Sequence, residues 1–124
     1  MLRKFAHAFH VPGTLSADLN VRFAVPSACS LAHVSAVASN DSDATLAIGT
    51  SADTDGYLTA TAIGDSGTPA EFEQADFDGA LLSEAGNELP HLADSTVVVL
   101  TLDHDGASGT AAQNVTLVLT FVEG

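Results

Sequence analysis

The sequence predicts an all-β domain, an antiparallel β-sandwich of the jelly-roll kind, and three observations carry that expectation. Apolar and polar residues alternate with a period of two in several short segments, as strands with one buried and one wet face require. Each segment is bounded by Gly, Pro, Asn, Asp or Ser, the residues that favour turns. No stretch sustains a helical period, although residues 69–77 and 79–85 each have room for one helical turn. An immunoglobulin-like sandwich is the main alternative.

The elements follow in order. Phe5, His7, Phe9 and Val11 share one face of a first strand that Pro12-Gly13 ends. Its residues 1–11 also read as a short arm available for anchorage. Leu19, Val21, Phe23 and Val25 form the clearest alternating set, and Pro26 stops that ladder because proline lacks the N–H a ladder needs. Residues 31–38, 44–48 and 57–63 are further strands. Residues 64–94 would be an unusually long loop in a compact domain, so Glu71-Phe72-Glu73 is read as a strand hidden in it. Residues 96–102 and 115–122 close the chain, and the polar loop from Asp103 to Gly109 between them reads as a hairpin. About eight strands result, the number of a jelly roll. Their apolar faces predict a core of Val21, Phe23, Val34, Leu46, Ile48, Val98, Leu100, Leu117, Leu119 and Phe121.

At 124 residues the chain fits one domain, residues 1–124. No apolar run approaches the ~20 residues of a membrane span. Alternating histidines interrupt what would be the apolar stretch of a signal peptide. The single cysteine, Cys29, has no internal partner and is read as a small buried residue.

Charge is the most unusual bulk property, with 16 acidic residues against 3 basic ones and a formal net charge of -13. Phosphate contacts need Lys and Arg in quantity, so nucleic acid is excluded as a direct partner. The cations are Arg3, Lys4 and Arg22, and fifteen of the sixteen acids follow Arg22. A basic foot on an acidic body is expected. Self-repulsion for solubility, or adaptation to a salty medium, accounts for most of the acids.

Candidate chemistry is sparse. Gly64-Asp65-Ser66-Gly67-Thr68-Pro69 matches the nucleophile segment of chymotrypsin-like proteases over six residues, but the two barrels and the upstream histidine segment are missing. Ser66 is therefore expected in a turn. Asp53-Thr54-Asp55-Gly56 and Asp103-His104-Asp105-Gly106 resemble cores of calcium loops. Their flanking ligand positions hold Ser51 and Ala62, or Thr101 and Ala112, which excludes EF-hands. Asp53, Asp55, Asp103 and Asp105 remain weak calcium candidates, jointly with Asn40, Asp41 or Asp43. The five histidines fall in no recurrent zinc spacing. No phosphate-cradling glycine loop is present, and no cofactor is expected.

Three stretches carry a resemblance to a known group: Asn20-Val21-Arg22-Phe23-Ala24-Val25-Pro26 followed by Leu31-Ala32-His33-Val34-Ser35-Ala36-Val37; Ala44-Thr45-Leu46-Ala47-Ile48-Gly49; and the closing residues 97–122. On these the chain resembles the capsid decoration, or cement, proteins of tailed bacteriophages and their prophage relatives. The resemblance implies a β-sandwich, usually trimeric, seated on the outer surface of a capsid. It implies the major capsid protein as partner, no membrane, no enzyme activity and no cofactor. Arg3, Lys4, Phe5 and Phe9 are then the expected anchorage residues, since an acidic body attaches most easily through its least acidic segment. Phe72, Phe77, Leu81 and Leu82 are candidates for the apolar area between subunits. The alternative function is a carbohydrate- or receptor-binding module of a virion fibre, for which Tyr57 is the one tyrosine available for stacking on a sugar.

Overall fold

Alternating segments become strands here because each lays one face on a shared apolar interior. The computed structural model describes residues 3–73, 76–77, 89–107 and 109–123. Among these residues are nine strands: β1 (Lys4–Thr14), β2 (Leu19–Ala24), β3 (Cys29–Val37), β4 (Thr45–Gly49), β5 (Leu58–Ala62), β6 (Ala70–Phe72), β7 (His91–Leu92), β8 (Val97–Asp103) and β9 (Gln113–Glu123). The hidden strand at Glu71-Phe72 is present, displaced by one residue. Residues 79–85 lie outside the described residues.

Two antiparallel sheets stack face to face, one in the order β1-β9-β3-β6 with β7 also on β3, the other β2-β8-β4-β5. The pairings are nested: β4 with β5, β3 with β6 and β7, β2 with β8, β1 with β9. This is one long hairpin, with β4 and β5 at its tip, rolled so that successive rungs alternate between sheets. That is the jelly-roll connectivity, and it replaces the immunoglobulin alternative, whose sheets group their strands differently. The position opposite β3 is divided between β6 and β7, which explains nine strands where about eight are expected.

The loop from Asp103 to Gly109 does not close a hairpin. β8 pairs with β2 and β4, whereas β9 pairs with β1 and β3, so the chain crosses from one sheet to the other. A polar loop between β-branched runs serves either connection, and the rolled topology selects the crossing.

Of the expected core, Val34, Leu46, Ile48, Val98, Leu100, Leu117, Leu119 and Phe121 are buried. Val21 and Phe23 are only partly buried, a correction with a simple cause: β2 is the edge of its sheet, and nothing described covers its outer side. Phe72 and Phe77 belong to this interior, which leaves them unavailable to a neighbouring subunit. Leu81 and Leu82 lie outside the described residues. Tyr57 and Cys29 are buried as well, and no polar or charged residue is buried among the described residues. At the tip of the roll, a Cβ on Gly49 would overlap the carbonyl of Asp53 and the backbone of Thr54, so the turn after β4 folds back to glycine-only distance.

Candidate docking surface

Charge in this molecule sorts by position along the strands. Among the described acids only Glu71, Asp103 and Glu123 lie in strands; the others sit in turns, where a carboxylate keeps its water. The strand registers place the connections β1–β2, β3–β4, β5–β6 and β8–β9 at one pole of the sandwich. That pole carries Asp18, Asp41, Asp43, Asp65, Asp103 and Asp105, and none of the three cations. Arg3 and Lys4 stand at the opposite pole, at the start of β1, and exposed Arg22 lies on β2 near its end towards that pole, which the cations share with Asp53, Asp55, Asp94 and Glu123, the last directly opposite Arg3.

Residues 4–11 are no free arm. They run in unbroken register against β9, from Lys4 opposite Val122 to Val11 opposite Val115. β1 and β2 are the edges of their respective sheets and lie on the same open side of the sandwich, bridged by rings. His7 sits 4.5 Å from Phe23, Phe9 is 5.6 Å from Phe23, and Phe5 stacks on Phe121 at 5.2 Å, centroid to centroid. Phe5, His7, Phe9, Val11, Leu19, Val21 and Phe23 all point inward yet remain partly exposed. His7 Nε2 is enclosed here with no hydrogen-bond partner. All three cations of the chain flank this apolar seam: Arg3 and Lys4 next to Phe5, Arg22 next to Phe23. Of the expected anchorage residues, Lys4, Phe5 and Phe9 thus belong to one structured edge, with Arg3 immediately before it. His7, Phe23 and Arg22 belong to the same surface, although the anchorage reading of the sequence omitted them. The β1 alternation signals His7; nothing local signals that β2 lies beside it.

The acidic pole holds a second cluster. Asp18 Oδ1 accepts hydrogen bonds from His104 Nδ1 at 2.7 Å and from the His104 backbone N–H at 3.1 Å. The His104 side-chain contact chiefly holds the Asp18 carboxyl below the ordinary carboxylate value. Asp103 joins them, with one ligand atom from each residue lying within 4.8 Å of the others. A divalent cation there would compete with His104 for Asp18, and with the Asp105 N–H for the Asp103 carboxylate that accepts it.

The two calcium candidates lie apart. β4 and β8 pair with Thr45 opposite Asp103 and Gly49 opposite Val99, so the Asp53/Asp55 turn and the Asp103/Asp105 turn occupy opposite ends of the sheet. Asn40 and Asp43 are already committed: Asn40 donates to the Ala111 carbonyl and accepts from the Gln113 N–H, and Asp43 accepts from the Thr110 N–H. The Asp53 carboxyl is raised above its ordinary value, chiefly by the hydrogen bond it shares with Asp55, and by partial burial and the Asp55 charge. Ser66 sits in a turn at φ 51° beside Gly67, its N–H bonded to the Asn40 carbonyl. No described hydrogen bond joins Ser66 to a histidine. The remaining histidines meet scattered partners, His10 with Thr116, His33 with Glu71 and His91 with Ser30.

No protein-family model matches the chain, and no curated protein sequence does. Among solved structures, the chain is similar to one chain of the cyanophage Pam1 capsid asymmetric unit, at 15% identity and a TM-score of 0.53. The match covers 99% of this chain and 85% of that one, so the two are of similar length and share one fold throughout.

Proposed function

We propose that this protein is a structural component of a tailed-phage virion, a decoration protein that sits on the outside of the capsid as a homotrimer and binds the major capsid protein. The observation that carries the reading is the whole-length likeness to a chain of a phage capsid asymmetric unit that is itself similarly short. The surface chemistry supports it. The open β1/β2 seam combines half-exposed rings with every cation in the chain, and such a patch suits contact with a shell better than any acidic loop. Arg3, Lys4, Phe5 and Phe9 are its anchorage residues, with the acidic pole directed away from the shell.

The fibre-module alternative loses its sugar platform, because Tyr57 is 4% exposed and cannot stack on a ligand from solution. The test is reconstitution. Heads lacking the protein are mixed with wild type or with the double variant Arg3→Glu/Lys4→Glu, and occupancy is imaged by electron microscopy. Wild type is expected to cover the outer surface as trimers and the variant to bind poorly. Density inside the shell, or full occupancy by the variant, would overturn the reading.

A further inference from the structure

Among the described residues, the backbone of β1 has a strand on one side only, β9. The Glu123 N–H donates to the Arg3 carbonyl at 2.8 Å, and the β1–β9 register continues from that pair without a shift as far as Val11. In an antiparallel pair, residues that bond to the partner strand alternate with residues whose N–H and C=O point the other way. Phe5, His7, Phe9 and Val11 therefore bond to β9, while Lys4, Ala6, Ala8 and His10 turn their backbone groups to the free edge. No described strand pairs there.

Natural sheets blunt such edges with short strands, bulges, prolines or inward charges. The other edges of this sandwich show these devices. β6 and β7 are only three and two residues long. β5 contains a register shift, and the Thr61 hydroxyl bonds back to the Thr59 carbonyl at 2.7 Å. β2 has six residues, and the Arg22 side chain lies along it towards Asn20. β1 offers eight residues in continuous register with no proline before Pro12 and no shift before Val11, and its lysine, Lys4, stands at the very start of the strand.

We infer that the outer edge of β1 receives an extended, carboxylate-bearing segment of the capsid protein as an added strand. The inference rests on the proposed attachment to a capsid and specifies its mode. Main-chain bonds to Lys4, Ala6, Ala8 and His10 supply affinity, as in other strand-addition complexes. Side chains of the incoming strand on the inner face cover Phe5, His7 and Phe9, which the sandwich leaves half open. Charge selects the occupant: residues 3–17 contain no acid, Arg3 and Lys4 stand at one end of the edge with Arg22 on neighbouring β2, and against these three cations stands Glu123, opposite Arg3 on β9. The same edge of a second copy has no carboxylate between residues 3 and 17 to offer Arg3 and Lys4, so two such edges are not complementary in charge.

The test uses the whole chain with the heads of the virus that encodes it. Hydrogen exchange is measured by amide for the free protein and for the protein on heads. The amides of Lys4, Ala6, Ala8 and His10 are expected to exchange freely in solution and to slow by at least 100-fold on heads, while those of Phe5, His7 and Phe9 are protected in both. Ala8→Pro supplies the second arm: the Ala8 N–H points away from β9 and bonds to no described strand, so proline at this edge position keeps the fold. Its melt should stay near that of wild type, and its occupancy on heads should fall at least tenfold. Wild type bound to heads with the even-numbered amides still exchanging freely would overturn the inference and leave the capsid reading standing. Failure of wild type to bind heads at all would remove the capsid reading itself. Protection of the same amides in free protein at high concentration, with a dimer in sedimentation, would assign the edge to a second copy and also overturn it.

Discussion

Truncating two phenylalanines of the same ring cluster measures how open the β1/β2 seam is. Phe121 is fully buried, with Phe5, His7 and Phe23 at 5.2, 5.9 and 6.1 Å around it. Phe121→Ala loses the transfer free energy of the ring and leaves a cavity, a cost of about 3–5 kcal/mol. Phe23 lies on the edge strand and is only partly buried. Phe23→Ala gives up about half as much, roughly 1.5–2.5 kcal/mol, because the ring already touches water on one side. For a 124-residue chain, an unfolding entropy of about 2.1 cal/mol/K per residue converts each kcal/mol into about 4 °C of melting temperature. Differential scanning calorimetry should then find a fall of about 12–20 °C for Phe121→Ala and about 6–10 °C for Phe23→Ala. Equal falls would mean that the Phe23 ring is as enclosed as that of Phe121, and the open seam would not exist in the free protein.

The Asp18–His104 contact predicts a pH signature. A folded carboxyl held below its unfolded value contributes stability above about pH 4, and this is lost as pH falls through the depressed folded value. Asp18→Asn should therefore melt lower than wild type at neutral pH, the gap narrowing in acid; a gap independent of pH would refute the pairing. Asp53 has the opposite sign, since a raised carboxyl destabilises the fold once pH rises through its folded value. Asp53→Asn should raise the neutral melting temperature and lose that gain below about pH 4, and neither calcium nor a chelator should shift the wild-type melt. Gly49→Ala forces a Cβ into the Asp53 carbonyl and should cost about 1–3 kcal/mol by thermal melts, whereas a neutral result would detach the 50–56 turn from β4. Ser66→Ala should leave melting unchanged, and a fluorophosphonate probe should fail to label wild type at this position.

Local chemistry wrote the strands into the sequence. Alternation at Phe5, His7, Phe9 and Val11, and at Leu19, Val21 and Phe23, marks which side chains share a face, because the period of two belongs to each strand alone. Turn residues mark the ends for the same reason, and Ser66 was legible as a turn before any pairing was known. The crossing between β8 and β9 was not legible, since a polar loop between β-branched runs carries no record of which sheet comes next. Alternation overstates the burial of Phe23, because it reports direction, while exposure depends on whether another strand lies beyond. The seam itself is decided by tertiary structure. β1 bonds to a strand more than a hundred residues away, and only that register turns Lys4, Ala6, Ala8 and His10 to a free edge. Likewise Asp18 meets His104 across 86 residues because β2 pairs with β8, bringing two loops to one pole. Local composition determines what a segment prefers; contacts between distant segments determine what it meets.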